Sequence, residues 1–253
     1  MKAKEAHLGK IVKNGKILIL AMDQGMEHGP TDFNAKNINP EYVCDIACKG
    51  GFTGFALQKG IAKHYKECYS GKVPLILKLN GRTNIVPKDD CYSSPVASVK
   101  EAVDLGADAI GYTLYVGSPS EAQMFREFGA IEREAHDYGL ACVVWAYPRG
   151  KYVKEEKSKD TVAYAARVAL ELGADVVKIN YPGSIDAMKW VVASAGRCKV
   201  ISAGGSKQPD EEFLAKVRDI MAGNGSGLAV GRNVWQNDNP LKITEGIKKV
   251  IFG

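Results

Sequence analysis

Lys178 lies in the middle of a short apolar segment, ADVVKINYPG, at residues 174–183. The segment is rich in β-branched residues and ends at proline and glycine, as a buried β-strand does. Because side chains alternate along a strand, Lys178 shares one face with Val176 and Asn180. A buried lysine of this kind has two interpretations. It forms an ion pair or extends its ammonium group to a rim, or it is a nucleophile that attacks carbonyl groups.

The nucleophile hypothesis depends on the pKa of the lysine. An amine attacks a carbonyl carbon only in its neutral form, and a lysine with the ordinary pKa of about 10.4 is almost wholly protonated at neutral pH. Burial lowers the pKa, so a dry interior suits this role. The reaction also needs a carboxylate that shuttles protons and an acid or base at the reacting carbon. Asp23, which ends the first strand, and Tyr147, in the fifth, are the candidates.

Lys78, in LILKLN, is a second lysine near a strand end. It is a rival nucleophile, or it binds a phosphate or carboxylate group of the ligand. His28, in GMEHGP, follows the first strand. It either caps a turn or contacts the substrate.

Two glycine-containing segments give a separate signal for a phosphate group. They are SAGGS at residues 202–206 and VGRN at residues 230–233. Glycines let backbone N–H groups approach an anion closely, and an arginine beside them adds a charged donor. The predicted phosphate-binding residues from these segments are Gly204, Gly205, Gly231 and Arg232.

The histidines do not support a metal site. His7, His28, His64 and His136 are the only four, and no two have HxH or HExxH spacing. His7 is expected in an N-terminal tail, and His64 and His136 in helices. A zinc site would lack ligands, so we expect no metal and no cofactor.

Eight apolar, β-rich segments predict eight strands, with helical periodicity between them. The repeated junctions LGADA and LGADV mark points where a helix stops at glycine and a strand follows. Ser118 is the predicted N-cap of one helix, with Pro119 in its first turn and Glu121 closing a capping box. The predicted strand segments lie at residues 16–23, 51–58, 73–80, 107–117, 140–150, 174–183, 198–206 and 227–235.

This alternation indicates an α/β protein with one (β/α)₈ barrel over residues 1–253. A doubly wound open sheet is the competing architecture, but MDQGMEHGP after the first strand does not match GxGxxG. Chemistry in such barrels sits at the C-terminal ends of the strands. The loops after strands seven and eight, where the glycine-containing segments fall, are the usual phosphate site.

The composition limits the classes of molecule that the protein could bind. The 253 residues are 45% apolar and 25% charged, with a net charge of +5. The basic residues are scattered and do not form a nucleic-acid groove, and no apolar run could cross a membrane. The six cysteines form no CxxC, so we expect reduced thiols that fill the core or helix faces. We expect a soluble, cytoplasmic protein that binds a small anion.

Five segments together resemble the archaeal-type class I fructose-1,6-bisphosphate aldolases, carbon–carbon lyases of glycolysis and gluconeogenesis. They are LAMDQGMEHGP, VVWAYPRG, ADVVKINYPG, ISAGGS and AVGRNVWQ, and their spacing matches as well. The resemblance covers nearly the whole chain. It implies a metal-independent (β/α)₈ barrel that forms a Schiff base with a phosphorylated ketose, and a homo-oligomer.

The resemblance also assigns roles. Lys178 matches the Schiff-base lysine, Asp23 the proton-shuttling carboxylate, Tyr147 the general acid/base, and Trp145 the tryptophan beside it. The positions that match the holders of a substrate phosphate are Ser202, Gly204, Gly231 and Arg232. The holders of the second phosphate stay open among Lys78, Arg82, Arg149 and His28.

Two alternatives remain. One is a related transaldolase-type synthase of the archaeal aromatic-amino-acid route, although EHGP after the first strand favours the fructose-bisphosphate branch. The other is a non-catalytic barrel that senses sugar phosphates. That hypothesis leaves the lysine, the aspartate and the tyrosine without a purpose.

Overall fold

Eight parallel strands form a closed barrel in a computed structural model, which describes residues 2–253 apart from the side chains of residues 2–6 and 24. Each strand pairs with the next along the chain, and the last pairs with the first. The prediction of a (β/α)₈ barrel is confirmed, and the closure excludes the doubly wound open sheet. The strands are β1 Ile17–Ala21, β2 Gly54–Gln58, β3 Leu75–Lys78, β4 Ala109–Val116, β5 Ala141–Pro148, β6 Val176–Ile179, β7 Lys199–Ala203 and β8 Gly227–Val230.

Helices alternate with these strands and surround the barrel. A 3₁₀ helix at Gly29–Asp32 follows the first strand, and Asn80–Gly81 pairs with Ser94–Pro95 in an antiparallel ribbon over the barrel mouth. Among residues 2–253, no helix is long and apolar enough to cross a membrane. The α-helices are α1 Lys2–Ile11, α2 Gln24–His28, α3 Pro40–Gly50, α4 Lys59–His64, α5 Lys66–Tyr69, α6 Val99–Leu105, α7 Glu121–Asp137, α8 Lys159–Glu171, α9 Ile185–Ser194, α10 Asp210–Ala222, α11 Arg232–Trp235 and α12 Pro240–Phe252.

Two apolar clusters follow from strand alternation. Val176 packs inside the barrel, in a cluster that Ile11 at the end of α1 also joins. Val177 and Ile179 pack outside, beneath the helices. The predicted faces of β6 are therefore confirmed, and Lys178 points into the barrel because it lies two residues after Val176. His7 lies in α1 rather than in a tail, so that prediction is wrong.

The junctions between helices and strands match the sequence pattern in one respect and differ in another. Gly106 and Gly173 follow α6 and α8 with φ angles of 76° and 92°, as the predicted glycine stops require. The predicted N-cap at Ser118 is wrong, because α7 begins at Glu121 after Ser120. The Ser118 hydroxyl donates a hydrogen bond to the Cys91 carbonyl instead of capping the helix.

Cysteines fill core positions and helix faces, as predicted. Four of them, Cys44, Cys91, Cys142 and Cys198, are buried. Cys48 and Cys68 are half-buried between α3 and α5. Burial raises the pKa of Cys44 to about 12, which keeps this thiol protonated.

Candidate active site

A cavity of about 170 Å³ opens at the C-terminal ends of the strands. Its walls come from β1, β5, β6, β7 and β8 and from α2, so residues distant in the chain meet there. Position and size both suit a small polar ligand. The lining residues are Ala21, Asp23, Glu27, His28, Trp145, Tyr147, Arg149, Lys178, Asn180, Ala203, Gly204, Gly205, Ala229, Gly231 and Arg232.

The Lys178 side chain is buried in the wall of this cavity. Burial lowers its pKa below the ordinary value, because a charged amine loses hydration inside the barrel. The carboxylates of Asp23 and Glu27 oppose that shift, whereas the positive charges of Lys78 and Arg232 add to it. A larger fraction of Lys178 is therefore neutral at a given pH, as a nucleophilic amine requires.

Trp145 lies between two lysines. The Nζ atom of Lys178 is 4.9 Å from the centre of its indole ring, and that of Lys78 is 5.5 Å away. The indole N–H is buried and has no hydrogen-bond partner among the described side and main chains. The ring can lie across β4 because Gly111 has no side chain there. An ideal Cβ atom at Gly111 would be 2.6 Å from Trp145 Cζ3.

We expect Gly111→Ala to displace the indole and to destabilise the protein by about 1–3 kcal/mol, because the added methyl overpacks the barrel. The shift of Trp145 should also lower kcat. Urea unfolding and steady-state kinetics measure the two effects. Gly60→Ala in α4 is the matched control, since no atom lies within 4 Å of its added Cβ. A Gly111→Ala enzyme with unchanged stability and kcat would contradict this packing.

Tyr147 keeps its phenolic proton. Burial raises its pKa well above the ordinary value, and the negative charges of Glu27 and Asp23 raise it further. Arg149 opposes these effects, with its guanidinium 5.8 Å from the centre of the tyrosine ring. A phenol that stays protonated at neutral pH is a proton donor, so Tyr147 is suited to protonate a developing alkoxide.

Lys78 does not line the cavity, and its predicted contact with a ligand phosphate stays a prediction. Its side chain is fully buried, and its Nζ atom donates to the Asn80 carbonyl at 2.9 Å. Glu27 Oε1 lies 3.7 Å from the same nitrogen. The ammonium group is thus held by a carbonyl and a carboxylate behind Trp145.

Glu27 is the residue that the sequence reasoning missed. It lines the cavity, pairs with Lys78, and acts on the pKa values of both Lys178 and Tyr147. One signal was available in the sequence. Asp23 and Glu27 are four residues apart around the start of α2, a spacing that places two side chains on one helix face.

The loops after β7 and β8 form one side of the cavity. Gly204, Gly205, Gly231 and Arg232 all line it, as predicted from the glycine-containing segments. Gly205 has a φ angle of 80°, a conformation that favours glycine. The Gly204 N–H donates to the Ala229 carbonyl at 2.9 Å, so this N–H joins the two loops and is not directed at a ligand.

The Ser202 side chain is not part of the cavity wall, and its predicted contact with a substrate phosphate stays a prediction. Ile201 packs inside the barrel and Ala203 lines the cavity, so alternation turns Ser202 outward between them. Its hydroxyl is buried and lies 3.3 Å from the Ala203 carbonyl.

A second cavity, of about 500 Å³, adjoins the first at the barrel mouth. His28 and Arg232 line both cavities and meet at Asp32. The distances are 2.6 Å from His28 Nδ1 to Asp32 Oδ2 and 3.6 Å from Arg232 Nη1 to Asp32 Oδ1. The basic residues that line the mouth are His28, Arg82, Lys88, Arg149 and Arg232.

One group of potential metal ligands occurs among the described residues, at the opposite end of the barrel. The ligand atoms of His136, Cys142 and Asp175 lie within 4.8 Å of one another. The imidazole already contacts Glu132 Oε1 at 2.6 Å and Asp175 Oδ2 at 3.0 Å. These contacts join α7 to the starts of β5 and β6, so we interpret the group as structural.

Comparison with known proteins identifies the family. A model of the DeoC/LacD family aldolases matches residues 17–237, which is most of the barrel. The chain belongs to this family of aldolases. It is 47% identical over 245 residues to the fructose-bisphosphate aldolase class 1 of Halobacterium salinarum, covering 96% of this chain and 92% of that one. It is 45% identical over 252 residues to the enzyme of the same name from Thermoproteus tenax, covering 98% and 94%.

A solved structure gives the same result. It is an archaeal fructose-1,6-bisphosphate aldolase whose catalytic lysine is covalently bound to the carbinolamine intermediate of the substrate. Its TM-score to this chain is 0.94 at 44% identity, and the match covers 99% of this chain and 100% of that one. The predicted resemblance and the predicted aldolase class are confirmed. The roles of individual residues stay predictions.

Proposed function

We propose that this aldolase is a class I, Schiff-base fructose-1,6-bisphosphate aldolase. It cleaves the substrate reversibly to dihydroxyacetone phosphate and glyceraldehyde 3-phosphate, in glycolysis and gluconeogenesis. The single observation that carries this proposal is the position of Lys178. A buried lysine with a lowered pKa shares one small cavity with two carboxylates, a protonated phenol and two glycine-containing loops.

The reaction begins when neutral Lys178 attacks the ketone carbon of the substrate. The carbinolamine must then lose water, and the leaving hydroxyl needs a proton from a nearby acid. Asp23 is the proton shuttle in this step, because it is buried beside Lys178 and its charge acts on the amine. The product is a protonated imine, whose positive charge accepts electrons as the C3–C4 bond breaks.

Tyr147 acts at the C4 oxygen. In the direction of condensation, the aldehyde oxygen becomes an alkoxide as the C–C bond forms, and the protonated phenol supplies its proton. In the direction of cleavage, Tyr147 first loses its proton to water once the imine has formed, and the phenolate then takes the proton of the C4 hydroxyl. The positive charge of the imine on Lys178 and the guanidinium of Arg149 stabilise the phenolate, because opposite charges attract strongly in a dry cavity.

The two phosphate groups occupy the two sides of the site. One binds at Gly205, Gly231 and Arg232, where backbone donors and a guanidinium meet. The other binds in the mouth cavity, among Arg82, Arg149 and His28. We further propose that the chain is a single catalytic domain over residues 1–253, that it works in the cytoplasm, and that it forms a homo-oligomer.

We expect the protein to cleave fructose 1,6-bisphosphate and to keep full activity after dialysis against EDTA, because an imine replaces a metal as the electron sink. A coupled assay over a panel of ketose phosphates measures this. The control is the same enzyme with zinc or magnesium added back, which should change nothing. Turnover of another ketose without cleavage of fructose 1,6-bisphosphate would indicate the transaldolase-type synthase. Binding of sugar phosphates without any turnover would indicate a non-catalytic sensor.

A further inference from the structure

Lys216 lies behind the loop that follows β7. It is a half-buried residue of α10, and its Nζ atom donates to the Gly204 carbonyl at 2.7 Å and to Gln208 Oε1 at 2.6 Å. Both acceptors belong to the loop, whose Gly204 and Gly205 line the cavity. Lys216 is therefore one peptide plane away from the space that a ligand occupies.

The orientation of the Gly204–Gly205 peptide determines where its N–H group points. In a trans peptide the C=O and the following N–H point in opposite directions. Because the Gly204 carbonyl points at Lys216, the Gly205 N–H points away from the ammonium group. Lys216 also polarises the peptide, since a charged donor on the carbonyl makes the N–H of the same peptide a stronger donor.

Asn233 holds the same loop from α11, the short helix that follows β8. Its Nδ2 atom donates to the Ser206 carbonyl at 3.0 Å and lies 3.3 Å from the Gly204 carbonyl. Its Oδ1 atom accepts from the Gln208 N–H at 2.9 Å. Lys216 and Asn233 together hold the loop carbonyls toward the protein. The backbone N–H groups of the loop can then point to the opposite side.

The charge of Lys216 is not neutralised by a nearby acid. Among the side chains that the structure describes, no carboxylate oxygen lies within 4.0 Å of its Nζ atom. Burial lowers the pKa of Lys216 to about 8, and the positive charge of Lys157 lowers it too. A half-buried cation whose hydrogen-bond acceptors are neutral is stabilised when an anion binds on the other side of the loop.

We propose that Lys216 is a positioning residue for the substrate phosphate: its ammonium group holds and polarises the Gly204–Gly205 peptide so that the Gly205 N–H faces the anion. The inference rests on the proposed function, which places a phosphate at this loop. It adds a residue that never touches the substrate. If Lys216 only stabilised the loop, its loss would weaken the binding of every ligand equally. A comparison of ligands with and without a phosphate group therefore separates a structural role from a phosphate-positioning role.

The experiment traps the imine with borohydride at increasing concentrations of dihydroxyacetone phosphate or of unphosphorylated dihydroxyacetone. For Lys216→Met, we expect the half-saturating concentration of the phosphate ester to rise about tenfold and that of dihydroxyacetone to stay within about twofold. Lys216→Arg should restore most of the affinity because it keeps the charge. Arg218→Met, an exposed loss of charge on the same helix, is the control and should match the wild type.

Two outcomes would overturn the inference. One is an unchanged affinity of Lys216→Met for dihydroxyacetone phosphate, and the other is an equal loss for both ketones. If wild-type enzyme traps neither ketone, the proposed function fails. Calorimetric titration with inorganic phosphate then decides the role of Lys216 alone, since it needs no imine. Weaker phosphate binding in Lys216→Met supports the inference, and equal binding refutes it.

The pH dependence gives a second readout that a structural clamp would not produce. As pH rises above about 8, wild-type Lys216 loses its proton and inorganic phosphate should bind more weakly. Lys216→Arg should lose less affinity than the wild type between about pH 7.5 and 9.5, because a guanidinium does not titrate there. Loss of charge at Lys178, which lines the same cavity, acts on both proteins alike. Lys157 is the charged neighbour of Lys216, and it is present in both proteins. A parallel decline in both proteins would refute the role of the charge.

Discussion

Lys178→Met is expected to lower kcat for cleavage of fructose 1,6-bisphosphate by about 10⁴-fold or more, because the electron sink of the reaction is lost with the imine. Methionine keeps the length and apolar character of the side chain, so the barrel should stay packed. Steady-state kinetics on the purified variant measures the loss. Lys189→Met is the control, since its lysine is exposed on α9 and should leave kcat unchanged.

The free energy of unfolding of Lys178→Met should be higher than that of the wild type or equal to it. The pKa of Lys178 is lowered in the folded protein, so the unfolded chain binds more protons between that pKa and the ordinary value near 10.5. The free energy of unfolding of the wild type therefore rises with pH across this window, and Lys178→Met should lack that part of the rise. Urea unfolding at several pH values measures it. A variant that unfolds at neutral pH, or one that keeps substantial activity, would contradict the assignment.

Tyr147→Phe is expected to lower kcat by about 10²- to 10³-fold while imine formation continues. The substitution removes only the proton that passes to and from the C4 oxygen, and the ring still fills its place. Single-turnover kinetics separates the two steps, because borohydride traps the imine before the C–C bond breaks. We expect trapping at a rate close to that of the wild type, followed by slow cleavage.

Tyr112→Phe is the matched control for this variant. Tyr112 is a fully buried tyrosine whose hydroxyl donates to Glu127 Oε2 at 2.7 Å, outside the cavity. Its substitution should cost about 1 kcal/mol of stability and leave kcat unchanged. If Tyr147→Phe lowers imine formation and cleavage by the same factor, Tyr147 acts on the first step and the proposed division of roles is wrong.

The barrel and the orientation of its nucleophile could be predicted from the sequence because both depend on short-range rules. Strand alternation is fixed at two residues, so Val176 and Lys178 had to share the interior face. The glycines at 106 and 173 marked the ends of two helices, because their left-handed backbone is unfavourable for other residues. The order of the segments along the chain then predicted that the glycine-containing loops follow the last two strands.

The same rules could not distinguish residues by what surrounds them. Lys78 and Lys178 are both buried lysines near the ends of strands. Only tertiary packing holds Lys78 behind Trp145, whereas Lys178 faces the cavity. Ser202 lies in a matching motif, yet alternation turns its side chain outward. Backbone groups carry no residue identity, so the partners of the Gly204 peptide, Lys216 and Asn233, could not be predicted from the sequence.

Trapping of the imine is the sharpest test of Schiff-base catalysis at Lys178, because it identifies both the reaction and the nucleophile. The protein is incubated with dihydroxyacetone phosphate, reduced with borohydride, digested and mapped by peptide mass analysis. We expect one adduct, on the peptide that contains Lys178, and none in Lys178→Met. An adduct on Lys78, or no adduct in the active wild-type enzyme, would contradict it.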